Sequence, residues 1–264
     1  MSADNKALQD RVSREMSSHT DNDVLAESYK LKNRFSHIWS YPSRVEFDKK
    51  FDQYFEDIKS LTVLDYGCGN GNKSFEYLKK GAVVEGIDIS ENYINNCKRQ
   101  AAENGFPPCS YRFQVMDAHA LDFPDNKFDI VAGNGILHHL DAEIALSEIY
   151  RVLKPGGRVL LQEPLAGNPL LKLFRALTPK ARTVDERPFA GTDLDLLINS
   201  ERWVSESVFC GCIEAPVAVI TSILFRKNPN NALLKIAHKF ESFLERKAIL
   251  RSWNQYVLFN LIKK

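Results

Sequence analysis

The stretch V-L-D-Y-G-C-G-N-G, Val63 to Gly71, sets three glycines at alternate positions behind an apolar run that ends in an aspartate. Glycines at that spacing let a strand turn sharply into a helix and bring bare backbone against a ligand. The dinucleotide fingerprint G-x-G-x-x-G asks for glycine at position 72, where this chain has Asn72, and this weakens a nicotinamide or flavin reading.

Outward from the loop, short β-branched runs alternate with amphipathic stretches from Leu61 to Gln162, the pattern of a parallel sheet with helices on both faces. The runs predict strands at Thr62–Asp65, Val83–Asp88, Tyr111–Met116, Phe128–Ala132 and Arg158–Gln162. A helix starts at the Ser90 cap, carries Tyr93, Ile94, Cys97 and Ala101 at helical spacing and stops at Gly105. A second runs from about Ala142 to Leu153, with Pro155-Gly156-Gly157 as its stop. Before this core, Asp21–Ile58 reads as helical and rich in aromatic residues; after it, a Pro- and Arg-punctuated segment interrupts the pattern. The chain closes with an amphipathic helix over Asn231–Arg246 and a strand over about Trp253–Ile262. The division expected is a helical extension or lid over 1–58, a ligand-binding core over 59–164, and a substrate-pocket insertion with helices and terminal strand over 165–264.

The bulk numbers limit what such a protein does. Of 264 residues, 44% are hydrophobic and 26% charged, ordinary for a globular chain, and the net charge of +1 offers no basic footprint for nucleic acid. Five scattered cysteines without a C-x-x-C pair read as free thiols in a reducing compartment, and Cys210-x-Cys212 lacks further ligands for a metal. There is no secretory signal and no apolar run long enough to cross a bilayer, so a cytoplasmic protein with a small-molecule partner is expected. The apolar run Ile213–Phe225 and the closing helix read as core packing or the contact of a homodimer, with a membrane-surface role as the alternative.

In an open α/β sheet, ligands sit outside the carboxyl ends of the strands. Here those ends are Asp65 with the glycine loop, Gly86-Ile87-Asp88, Asp117-Ala118, and Asn134 through His139. Asp88 is placed to accept ribose hydroxyls, which suits any adenosine cofactor. A pyrophosphate beside Asp65 would meet like charge, whereas an ammonium and a sulfonium would be attracted. S-adenosylmethionine has that charge pattern, and its carboxylate would use N–H groups of the glycine loop and the helix behind it.

With these residues in order, the chain resembles the class I S-adenosylmethionine-dependent methyltransferases, particularly the small-molecule branch that includes quinone-biosynthesis enzymes. The resemblance rests on V-L-D-Y-G-C-G-N-G, G-I-D-I-S, M-D-A with F-P-D-N-K-F-D-I-V, I-L-H-H-L, and R-V-L-K-P-G-G-R-V-L-L-Q-E-P, over about residues 61–164. It implies a Rossmann-like seven-stranded α/β sheet with an antiparallel last strand, helices on both faces, added N-terminal helices and a C-terminal helical insertion. It places Asp65, Gly67, Cys68, Gly69 and Gly71 at the methionine part of the cofactor, Asp88 on the ribose and Ile89 beside the adenine. Asp117 and the Ala118 N–H would read the adenine, and Asn134 would line the methionine pocket through its backbone. The segment from Glu163 onward also resembles a bacterial subgroup with E-P-x-x-x-N-P…R-x-L-T-P…R-T-x-D-E-x-P, associated with secondary-metabolite or surface-glycan pathways. Where that subgroup commonly carries histidines, this chain has Gly167 and Arg187.

Methyl transfer to a hydroxyl needs a nucleophile in line and a base for its proton. His138 is the first candidate base, with His139 beside it; related phosphobase methyltransferases pair such a histidine with an N-terminal tyrosine, for which Tyr41 and Tyr29 are the analogues. Glu163, Arg182 and Glu186 are the candidate substrate contacts, in a charged cluster with Asp185 and Arg187. Transfer to oxygen is therefore favoured over nitrogen or carbon, with S-adenosylhomocysteine as product. A cofactor-binding pseudoenzyme acting as a regulatory module and a NAD-dependent reductase are the alternatives.

Overall fold

The computed structural model describes residues 22–179, 187–189, 194, 201–244 and 247–264. Among them, seven strands form one sheet in the order β3-β2-β1-β4-β5-β7-β6. β1 (Thr62–Tyr66), β2 (Val83–Asp88), β3 (Tyr111–Val115), β4 (Phe128–Asn134) and β5 (Leu153–Pro164) are mutually parallel, while β7 (Tyr256–Lys263) runs antiparallel between β5 and β6 (Trp203–Cys210). The order reverses at β1, whose neighbours are β2 and β4, so the crevice at their carboxyl ends is a topological switch point.

Side chains alternate across the sheet, and each face has its own apolar cluster. On one, Val63, Val84 and Ile130 pack under α2 (Pro42–Gln53), α3 (Asn72–Lys79) and α4 (Glu91–Glu103). On the other, Leu64, Ile87 and Val131 meet α5 (Ala142–Val152). α4 begins at the Ser90 side chain, which accepts from the Tyr93 N–H, and the chain leaves it through Gly105 at φ +71°. Above the carboxyl edge, a third and smaller cluster joins Phe35, Ile38 and Tyr41 to α6 (Pro169–Ala176), α7 (Glu214–Leu224) and α8 (Ala232–Leu244). The chain reaches it from α1 (Asn22–Arg34) through a 3-10 turn at Ser36–Trp39.

Three expectations change. β5 starts five residues early, because Leu153 already pairs with Phe128, and the register shifts before Arg158 joins Ile130; Pro155-Gly156-Gly157 is looped out of a strand instead of ending a helix. β6 had no counterpart among the runs read as strands, since its alternation, W-V-S-E-S-V-F-C, is diluted by three polar residues. The closing strand begins at Tyr256, and a 3-10 turn, Ala248–Trp253, takes the residues before it.

The roof is tied down by Asn168. Its Oδ1 accepts from the N–H groups of Leu170 and Leu171, capping α6, while its Nδ2 donates to the carbonyls of Cys212 and Trp253, both at 2.9 Å. Next to it, a β-carbon on Gly167 would collide with the Ser252 carbonyl, which accounts for glycine at that position. Asn168→Ala leaves two buried carbonyls and a helix start unsatisfied and should cost about 2 kcal/mol, a fall of roughly 5 °C in the unfolding midpoint measured by circular dichroism.

Candidate active site

Two cavities open at the carboxyl edge. The first, about 200 Å³, lies across the ends of β1, β2 and β3 and is floored by the glycine loop. Gly67 at φ +76° lies so close to Ile136 that a β-carbon would strike that side chain, and Gly69 at φ +50° presents open space to the cavity. The loop is braced from β2: Asp88 accepts from the Gly69 N–H and the Ser90 N–H, both at 2.9 Å, and the Ile87 carbonyl accepts from the N–H groups of Gly67 and Cys68. The walls are apolar, with Ile89, Met116, Ala118 and Leu140 among them.

At the far end of this cavity, Asp117 is held by a residue that the sequence reading passed over. The Asp141 N–H donates to His119 Nε2 at 2.9 Å, which leaves the ring proton on Nδ1, where it is donated to Asp117 Oδ1 at 2.8 Å. The His119 N–H donates to the same oxygen, so Oδ2 has no partner among the described residues. These bonds pull the Asp117 carboxyl below its ordinary range. The only sequence signal for His119 is its place directly after M-D-A. The Ala118 carbonyl accepts from the buried Tyr66 hydroxyl at 2.5 Å, which fixes the turn from beneath.

The second cavity, about 480 Å³, lies between the sheet edge and the roof, lined by aromatic residues including Phe35, Trp39, Phe174 and Tyr256, by Lys32 and Arg175, and by both histidines. His138 is buried and paired with Glu163, which is wholly enclosed. The Glu163 carboxylate accepts from the N–H groups of Ile136, Leu137 and His138 and from His138 Nδ1 at 2.8 Å. A carboxylate with four donors has no proton to give, so the His138 proton sits on Nδ1 and Nε2 is its proton-accepting nitrogen. Asn134, Gly135 and His139 line both cavities, which therefore meet at the end of β4.

Comparison with known proteins bears on the domain that holds these cavities. Residues 64–161 match the family described as a methyltransferase domain. The chain is 38% identical over 142 residues to the demethylmenaquinone methyltransferase of Thermus thermophilus, across 53% of this chain and 62% of that protein. Residues 64–161 thus form a methyltransferase domain. It is also 35% identical over 121 residues to phosphoethanolamine N-methyltransferase 1 of Arabidopsis thaliana, across 45% of this chain but about a quarter (24%) of that longer protein. Among solved structures, geranyl diphosphate C-methyltransferase from Streptomyces coelicolor aligns with a TM-score of 0.58 over 82% of this chain and 77% of that one, at 16% identity. The cyclase SpnF aligns at 0.54 over 82% and 81%, at 20% identity. At such identities the likeness is one of fold, and the two names differ in chemistry.

Within the methyltransferase domain the expected residues separate into two sets. Gly67, Gly69, Asp88, Ile89, Asp117, Ala118 and Asn134 line the first cavity; Asp65, Cys68 and Gly71 do not. Cys68 packs with the opposite-face cluster, and Gly71 starts α3 at φ +79° with Cys97 and Phe75 against it. The N–H groups of Gly67, Cys68, Gly69 and Gly71 all bond inside the protein. Tyr41 is fully buried and lines neither cavity; its hydroxyl donates to Gln255 at 2.7 Å, and burial pushes its pKa well above the ordinary value. Tyr29 is exposed on α1 and lines neither cavity. Glu163, expected against substrate, faces the 136–138 turn instead, while Arg182 and Glu186 fall outside the described residues.

Asp65 lies beneath the loop and accepts from Ser74 Oγ at 2.5 Å. Burial lifts its pKa to about 6, against the hydrogen bonds from Ser74, which lower it. A carboxyl raised in the folded state is protonated more readily there than in the unfolded chain, so its ionisation costs stability progressively between about pH 4 and 6. Asp65→Asn should therefore gain on the wild type across that interval and run parallel to it above about pH 6, as read from urea unfolding at a series of pH values.

Proposed function

We propose that the protein transfers the methyl group of S-adenosylmethionine to a small-molecule acceptor and releases S-adenosylhomocysteine. The observation that carries this reading is the meeting of two unlike cavities at Asn134, Gly135 and His139. The first suits the cofactor: an apolar slot beside Ile89 and Ala118 for a flat purine, an open Asp117 Oδ2 for its amino group, and Asp88 at the β2 end for the ribose. The Gly69 face, free of any β-carbon, leaves room for the amino-acid tail, with Asp65 below it supplying negative charge for an ammonium. When bound, the cofactor supplies an electrophilic methyl group.

The protein's own part is to hold the acceptor and take its proton. His138, oriented through Nδ1 by Glu163, has Nε2 for that purpose, the arrangement by which a carboxylate fixes a histidine's tautomer. This favours an acceptor hydroxyl. Among the described residues, the second cavity has Lys32 and Arg175 and no carboxylate at its wall, together with four aromatic rings. An acceptor with an apolar or ring-shaped body and an anionic group satisfies both features.

Calorimetric titration of S-adenosylmethionine and S-adenosylhomocysteine should give micromolar binding that weakens at least about tenfold in Asp88→Ala, which withdraws both the ribose acceptor and the brace on Gly69. No binding by the wild type would overturn the reading. His138→Ala should lower kcat by about a hundredfold or more with an anionic aromatic acceptor while cofactor affinity holds. If kcat/KM stays unchanged, His138 is not the base. If the cofactor binds and no acceptor turns over, the chain is a cofactor-binding module.

A further inference from the structure

α7 packs mostly small residues inward, and both α7 and α8 turn rows of large apolar residues outward. α7 buries Ala215, Ala218, Thr221 and Ser222, while Ile220, Ile223 and Leu224 stand exposed. α8 buries Leu234, Ala237 and Glu241, and its outer row of Leu233, Ile236, Phe240 and Phe243 is 44–62% exposed at the spacing of one helix face. α6 packs on α7 and adds exposed Leu170 and Leu173, and Ile249 in the turn after α8 is 86% exposed. The reading of these stretches as core packing holds for Leu234, Val217 and Val219, which join the third cluster, while the outer rows face solvent.

The charge of this region is one-sided. Between Glu214 and Arg251 the sequence has seven Lys and Arg residues and three acids, in a chain whose net charge is only +1. Two of the acids, Glu214 and Glu241, are buried, and Glu241 accepts from the N–H groups of Cys212, Ile213 and Glu214 at the start of α7; the third, Glu245, falls outside the described residues. Lys235 and Lys239 lie on α8 itself, Arg226 and Lys227 follow α7, and Lys247 lies over the Phe243 ring at 4.5 Å.

We propose that the outer face of α6, α7 and α8 seats the protein on the surface of an anionic lipid bilayer. Exposed Leu, Ile and Phe rows enter the boundary between headgroups and acyl chains, and the flanking Lys and Arg pair with lipid phosphates. A second copy is the poorer occupant, because a two-fold contact would set this basic surface against itself. No helix among the described residues is long and apolar enough to cross a membrane, so the contact is a lying-on. α6 also walls the second cavity through Leu171, Phe174 and Arg175, so a docked chain holds that cavity beside the bilayer. The surface contact stands without the methyl-transfer reading.

The test is co-sedimentation of the full chain with phosphatidylcholine vesicles, with and without about 30% phosphatidylglycerol. Binding to the mixed vesicles, at least about tenfold weaker to phosphatidylcholine alone and reduced near 0.5 M salt, is the expected result. The double variant F240S/F243S should lose about tenfold in affinity, and K235E/K239E should lose binding to the anionic vesicles, each with an unchanged unfolding midpoint. Wild type that stays in the supernatant with both vesicles overturns the proposal. So does a dimer in light scattering that F240S/F243S converts to monomer, which would assign the face to a second copy.

Discussion

The Glu163 carboxylate, fully enclosed at the end of β5, is the interaction on which the site depends. Three consecutive backbone N–H groups after β4 and the His138 ring converge on it. A buried carboxylate is tolerated only when such donors replace its water, and the donors are in turn fixed by it. That turn begins where the two cavities meet, so one ionic group sets the wall of the first, the wall of the second and the tautomer of the histidine between them.

The same logic repeats around the edge of the sheet, where backbone is held by side chains from neighbouring strands. Asp88 on β2 braces the glycine loop after β1; His119 links the turn after β3 to the start of α5; Tyr66 at the end of β1 supports the Ala118 carbonyl. Preorganisation of this kind leaves the cavity walls in place before any ligand arrives. The roof is built otherwise. It is a separate small cluster over the second cavity, capped by Asn168 and by the buried Glu241, and its outer surface is apolar and basic. Added elements over a common sheet are where members of one fold differ in what they accept.

Much was legible in the sequence because it is local. Val63–Gly71 encodes strand, loop and helix start within nine residues, and Ser90 and Gly105 mark both ends of α4 by short-range chemistry. Asp88, Ile89, Asp117, Ala118 and Asn134 reach the first cavity because each follows a parallel strand, a place that topology assigns to ligands. What failed was long-range. Tyr41 follows a turn that swings it under Gly211 and Gln255, more than 160 residues away in sequence, and no pattern near position 41 announces that burial. β6 is recognisable only once β7 is there to pair with it, because an edge strand interrupted by three consecutive polar residues, Ser205 to Ser207, resembles a loop.

By itself the sequence determined the cofactor-binding half: parallel strands, the loop between β1 and α3, and acids at strand ends, all fixed by hydrophobic period and turn residues. Tertiary structure alone decided the partners of those acids and the direction of the apolar faces. Glu163 reads in the sequence as one charged residue among several candidate substrate contacts, and only the fold puts its carboxylate beneath the β4 turn. The row on α8 has the spacing of a core helix, and only the packing of its Leu234 face into the third cluster leaves Phe240 and Phe243 outside. Periodicity states which residues share a face; burial follows from what the rest of the chain brings to that face.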